Sequence, residues 1–192
     1  MASDAEAPPI LLSVDLQHGM VEGDKEWGPR STPKLVENVK YLLETWREKG
    51  WPIIHIQHDA DKEPDNPIAA RFPETFAIHT SAAPEGDEKV FVKHTSSAFF
   101  APELPEAIRS YGHRRIVVIG MDGTQCVNST VRQGDDLGYK MVIVADACAS
   151  YGVEDFEGKQ LDAQNSHNSA MYMLQAFGKV TTTAELLKEL GY

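Results

Sequence analysis

The sequence predicts an α/β protein, a three-layer α/β/α domain on a six-stranded, mostly parallel sheet. Apolar runs rich in β-branched residues alternate with segments of helical apolar spacing, the pattern of a parallel sheet covered on both faces. The chain has 192 residues, 42% of them apolar and 24% charged, which suits one globular domain with a single sizeable core. Residues 1–9, small, acidic and proline-containing, form an expected flexible tail, and residues 10–192 form the domain.

Each element has a local reason. Ile10–Val14 is apolar apart from Ser13 and reads as the first strand. Thr32 and Pro33 suit the cap and first position of a helix. Leu35, Val39, Leu42, Leu43 and Trp46 make its apolar stripe, and Gly50 ends it. Pro52–Ile56 is the second strand. From His58 to about Asp87 the chain is proline-rich and aperiodic. An insert of that length in a compact domain usually carries function or covers a site. Lys89–Val92 is the third strand, Pro105–Tyr111 a short helix, and Arg115–Ile119 the fourth strand. Thr124–Leu137 reads as a helix closed by Gly138, and Lys140–Ala145 as the fifth strand. Lys159–Phe177 is an expected helix, Lys179–Val180 a short last strand, and Ala184–Leu190 a terminal helix.

A formal charge of -11 argues against a nucleic-acid surface, which needs clustered Lys and Arg. Two cysteines, Cys126 and Cys148, are too few for a disulfide scaffold and fit a reducing compartment. The start lacks a basic leader, and no stretch reaches membrane-spanning length, so a cytoplasmic location is expected, with no membrane partner.

In parallel sheets, ligands sit at the carboxyl ends of the strands. Here those ends carry Asp15, His58, Lys93, Gly120 to Cys126, and Asp146. A carboxylate, an ammonium and a thiol thus share one sheet edge. With Thr124 as cap, Cys126 falls near the second helical position, where unpaired N–H groups and the helix dipole favour a thiolate. The same N–H groups could hold an oxyanion. Asp15 can take and return a proton, while Lys93 can hold Asp15 and steady an anionic intermediate. Singly, each has an ordinary alternative: a turn aspartate, a solvated lysine, a small buried hydrophobe. Their meeting at one edge carries the reading.

Three segments then resemble a known family. Val14-Asp15-Leu16-Gln17, Val92-Lys93-His94-Thr95-Ser96-Ser97-Ala98-Phe99 and the Gly120–Thr130 segment, which opens Gly120-Met121-Asp122-Gly123-Thr124-Gln125-Cys126, are similar in order to the isochorismatase-like cysteine hydrolases. Nicotinamidases, N-carbamoylsarcosine amidohydrolase, ureidoacrylate hydrolase and streptothricin hydrolase belong to that superfamily. The resemblance implies an Asp15–Lys93–Cys126 triad, a cis peptide at Met121–Asp122, and an oxyanion hole made by the amides of Asp122 and Cys126. It also implies a homo-oligomer, a dimer or tetramer. The chain departs from the family at Gly134, where Ala is more usual, and at the Asp122-Gly123 pair.

Nicotinamidases hold a divalent metal through an Asp-x-His pair and a second His. The string His55-Ile56-Gln57-His58 lacks that pair, and residues three apart on a strand face opposite sides, so no metal and no other cofactor is expected. His55 reads as a histidine satisfied beneath a helix. Gln17, His58, Phe76, His79, Phe99 and Met121 are the candidate pocket residues. Trp27, Phe72 and Phe100 are further aromatic candidates, and His167 could face the site or a neighbouring subunit. A cysteine in register points to hydrolysis of a small-molecule amide or ureide C–N bond through a thioester acyl-enzyme. Two alternatives stay open. One is a vinyl-ether hydrolase of the isochorismatase type, with Asp15 as acid and Cys126 incidental. The other is a catalytically silent binding protein that keeps the cleft for a small ligand.

Overall fold

The structure, a computed structural model, describes residues 7–23, 27–63, 65–112 and 115–192. Residues 1–6 of the expected tail lie outside the described residues. Pro9, assigned to that tail by sequence, is buried, and its carbonyl accepts a hydrogen bond from Trp46 Nε1 at 3.0 Å.

The elements follow the expected alternation. They run β1 (Ile10–Val14), α1 (His18–Val21), α2 (Leu35–Glu48), β2 (Ile53–His58), α3 (Pro73–Phe76), β3 (Lys89–Lys93) and α4 (Leu104–Ser110). The second half runs β4 (Ile116–Gly120), α5 (Cys126–Asp136), β5 (Met141–Cys148), β6 (Val153–Glu154), β7 (Gln160–Leu161), α6 (Ala163–Leu174), β8 (Lys179–Thr181) and α7 (Thr183–Glu189). Six strands form one sheet in the order β3-β2-β1-β4-β5-β8, every neighbouring pair parallel. Alternation along the strands then builds two cores. Leu11, Val117, Ile119 and Val144 pack with the stripes of α2 and α7 on one face. Ile10, Leu12, Ile54, Ile56 and Val118 pack with α4, α5 and α6 on the other. Each fully buried Leu or Ile in these layers stabilises the fold by about 1.5–3 kcal/mol.

Several boundaries differ from the sequence reading for local reasons. α2 starts at Leu35 rather than after Thr32, because Thr32 sits at φ +54° and its carbonyl accepts from Arg30 Nη1 at 2.7 Å. α5 starts at Cys126, since the Thr124 hydroxyl donates to Asp122 Oδ1 at 2.6 Å instead of capping the helix. The expected helix from Lys159 begins only at Ala163, where the Asp162 carboxylate caps the Asn165 amide. Gln160 and Leu161 belong instead to an antiparallel hairpin with Val153 and Glu154. The Asp155 carboxylate closes its turn by accepting from the amides of Glu157 and Lys159. The aperiodic 58–87 stretch contains α3 and a 3₁₀ turn, Thr80–Ala82. Gly134 leaves room for its neighbours, because a Cβ there would meet Met141 Sδ at 2.6 Å and Phe99 Cε2 at 3.0 Å.

The tightest backbone approach joins β1 to β4. Gly120 has φ +135°, and a Cβ on it would lie 2.0 Å from the Val14 carbonyl oxygen, which also accepts from the Met121 amide. Gly120→Ala is therefore expected to cost about 3 kcal/mol or more of unfolding free energy, measured by denaturant titration. A loss below 1 kcal/mol, on the order of an exposed surface change, would contradict that contact.

Candidate active site

The sheet order places the site. From β1 the chain steps outward through β2 and β3, then returns to β4 and proceeds the other way to β5 and β8. The reversal lies between β1 and β4, where open parallel sheets bind their ligands. Asp15 follows β1 directly and holds φ +52°, a left-handed conformation that Asp tolerates better than bulkier residues. Cys126 opens α5 just past β4, and Lys93 ends β3 in register with His58 of β2. The lysine side chain must therefore cross the end of β2 to reach β1.

It does so, and the three groups converge. Lys93 Nζ lies 2.7 Å from Asp15 Oδ2, donates to Cys126 Sγ at 3.3 Å and donates to the Thr95 carbonyl at 3.0 Å. Asp15 and Lys93 are each 1% exposed and Cys126 8%. The Lys93–Asp15 contact is an ion pair without hydrogen-bond alignment, and among the described residues neither buried Asp15 oxygen has an aligned donor. His58 Nδ1 stands 3.7 Å from Cys126 Sγ and 3.9 Å from Asp15 Oδ2.

The turn before Cys126 leaves two amides free. Met121–Asp122 is a cis peptide, as the resemblance implied. The amides of Gly123, Thr124, Gln125 and Val127 find acceptors in the Ala149 carbonyl, Asp122 Oδ1 and the Asp122 carbonyl. Those of Asp122 and Cys126 have none among the described residues. The Asp122 carboxylate braces the turn, accepting from the Thr124 amide and hydroxyl on one oxygen and from the Tyr151 amide on the other.

Electrostatics correct the expected thiolate. Burial pushes the Cys126 thiol well above its ordinary value, the nearby Asp15 charge adds to this, and Lys93 opposes both. The helix start does not overcome them, since a dipole contributes at most about 2 kcal/mol even in partly buried sites. The resting group is a thiol. Burial also lowers the His58 pKa, with Lys93 second, so His58 is neutral near pH 7.

A cavity of about 550 Å³ opens onto Cys126, Asp15 and His58. Met20, Trp27, Ile68 and Tyr151 supply its apolar wall, with Trp27 edge-on to Tyr151 at 5.2 Å. Of the candidate pocket residues, His58 lines it, and so does Trp27; the other five do not. Gln17 is fully buried and clamps the end of β2, accepting from the His58 amide and donating to the carbonyls of His58 and Phe76. Phe76 contributes that carbonyl rather than a ring. His79 turns toward α1, its ring 4.7 Å from that of His18 and its Nδ1 held by Ser81. Phe99 stacks on Tyr139 in the core, and Met121 is buried in the opposite core layer. Phe72 and Phe100 are exposed. His167 fastens α6 to β5 through the Ala145 carbonyl and Ser150 Oγ. Asp146 lies within β5 and holds Thr183 at the start of α7. His55 is buried against Glu88, which also pairs with Arg47.

Sequence reasoning missed Tyr151, Glu63, Glu154 and Gln160 among the lining residues. Tyr151 carried a usable signal, because it follows the carboxyl end of the fifth strand. The hairpin residues carried only the turn composition of Asp155 to Gly158.

Asp15, His58 and Cys126 offer donor atoms within 4.8 Å of one another. The Lys93 ammonium contacts two of those three residues, Asp15 and Cys126.

The Isochorismatase domain model matches residues 9–185. An isochorismatase family protein of Bacillus subtilis is 33% identical over 187 residues, covering 96% of this chain and 97% of its own. The ureidoacrylate amidohydrolase of Caulobacter segnis is 24% identical over 185 residues, covering 82% of this chain and 73% of its own. A crystal structure of an isochorismatase family protein from Chromobacterium violaceum shares the fold with a TM-score of 0.88 at 32% identity, covering 100% of this chain and 96% of that one.

The resting thiol is testable in the free protein. Absorbance near 240 nm should show no cysteine ionisation below about pH 9, the ordinary thiol value being about 8.5. Cys148, fully buried and pushed up to about 12, will not interfere. A step near neutrality that disappears in Cys126→Ala would contradict the assignment.

Proposed function

The chain belongs to the isochorismatase family of hydrolases, and from that premise we propose that it cleaves a small-molecule amide or ureide C–N bond through a thioester on Cys126. The observation that carries the reading is the contact of one buried ammonium with both the Asp15 carboxylate and the Cys126 sulfur. The amidohydrolase activity named for the Caulobacter relative supports the same bond class.

The chemistry follows from the charges. The substrate carbonyl carbon meets Cys126 Sγ as the thiol proton passes to Asp15, whose oxygens are buried and free of aligned donors. The carbonyl π pair moves onto oxygen, and the free amides of Asp122 and Cys126 take up that anion. Collapse breaks the C–N bond, and the protonated Asp15 returns its proton to the leaving nitrogen. Water then attacks the thioester as Asp15 accepts a proton again. The C–S bond breaks, the acid leaves and the thiol is restored. Lys93 stays charged throughout, balancing Asp15 and favouring sulfur anion character during attack.

Cys126→Ala should lower turnover on an amide or ureide substrate by about 10³-fold or more while shifting stability by less than about 1 kcal/mol. Full residual turnover would remove the nucleophile. Asp15→Asn should abolish turnover and also destabilise by about 3 kcal/mol, since it strands a buried ammonium. Activity and thermal unfolding measured together on both variants separate a chemical role from a structural one.

A further inference from the structure

The cavity that exposes Cys126 has a one-sided charge. Asp15, Glu63, Asp122 and Glu154 line it, and among the described residues no Lys or Arg does. Lys93 pairs with Asp15 behind the cavity wall and is not among its lining residues. Burial lowers the His58 pKa, which disfavours its cation, and Tyr151 is a phenol with no cationic form. Among the described residues, Glu63 accepts from Asn66 and Glu154 from Gln160, both neutral amides. Arg30 and Arg71 lie on neighbouring segments, hydrogen-bonded to the backbone carbonyls of Val21, Ser31 and Thr32 and of Glu63, and neither lines the cavity. Trp27 and Tyr151 add aromatic rings to the same wall. Deeper in the cavity, the Asp15 oxygens are buried without an aligned donor, a second acceptor for a polar N–H.

We infer that the substrate carries a cationic group, an ammonium or amidinium, placed by Glu63 and Glu154 at the cavity mouth against the Trp27 and Tyr151 rings. Three carboxylates in a cleft whose described lining holds no Lys or Arg raise the local concentration of cations and repel anions. Aromatic faces add an attraction of their own for such groups. A dicarboxylate such as isochorismate would meet repulsion from the same wall. The inference rests on the reading of Cys126 as the reactive group facing this cavity, and it names the substrate class for that reading.

Thiol reagents that differ only in charge test it without any knowledge of the natural substrate. Methanethiosulfonates bearing an ethyltrimethylammonium or an ethylsulfonate group each transfer their thiol fragment to a cysteine and release methanesulfinate. Rates at Cys126, read by peptide mass spectrometry and divided by the rate with 2-mercaptoethanol, isolate the effect of the cavity. The cationic reagent should react about tenfold faster or more at low ionic strength, with the advantage shrinking in high salt. The double variant Glu63→Gln, Glu154→Gln should reduce that advantage severalfold and leave the rate of neutral methyl methanethiosulfonate unchanged. Equal corrected rates, a faster anionic reagent, or an advantage untouched by the double variant would overturn the inference. None of these readouts requires turnover. A hydrolase reading that fails on Cys126→Ala is thus distinguishable from a cavity without charge preference.

Discussion

A lysine ammonium buried at 1% exposure is the constraint from which the rest of this structure follows. Leaving such a charge unpaired costs several kcal/mol, so its neighbours are dictated. Asp15 supplies the opposite charge at 2.7 Å, Thr95 a carbonyl at 3.0 Å and Cys126 a sulfur at 3.3 Å. To bring them together, β3 must run past the level of Val14, the end of β1, so that Lys93 stands beside His58 of β2, and the turn after β4 must fold back over the sheet edge. The Gln17 clamp holds the end of β2 at that level, and the glycine at position 120 lets β4 approach β1.

The same burial that fixes the lysine sets the state of the sulfur. Desolvation penalises a thiolate, and the Asp15 charge penalises it further, so the lysine offsets only part of the cost. In the proposed reaction, nucleophilic character therefore develops as the proton moves to Asp15, which already stands beside the sulfur. That separates this arrangement from one in which a helix dipole alone poises a free thiolate.

The architecture and the three central side chains were legible because both depend on strand ends, which apolar β-branched runs mark plainly. Asp15, Lys93 and Cys126 each follow such a run within a few residues. The cavity wall was not legible, since it comes from elements with weak signals. The Val153–Leu161 hairpin has two-residue strands, and Met20 belongs to a helix of a single turn. Two apolar candidates failed for a common reason: Phe99 and Met121 have side chains that serve the core equally well, and only packing decides which side they face. His79 failed because its partners, His18 and Glu22, lie on and just after a short helix that periodicity could not reveal. Asp146 looked like a strand-end residue only because β5 was read three residues too short.

The account turns on a covalent bond between substrate carbon and the Cys126 sulfur. The direct measurement is rapid-quench mass spectrometry of the protein mixed with a panel of small amides and ureides, followed by peptide mapping. The account predicts a transient mass gain equal to the acyl fragment, confined to the peptide carrying Cys126. Turnover of a substrate with no acyl adduct at that sulfur at any quench time, or an adduct on a different residue, would contradict it.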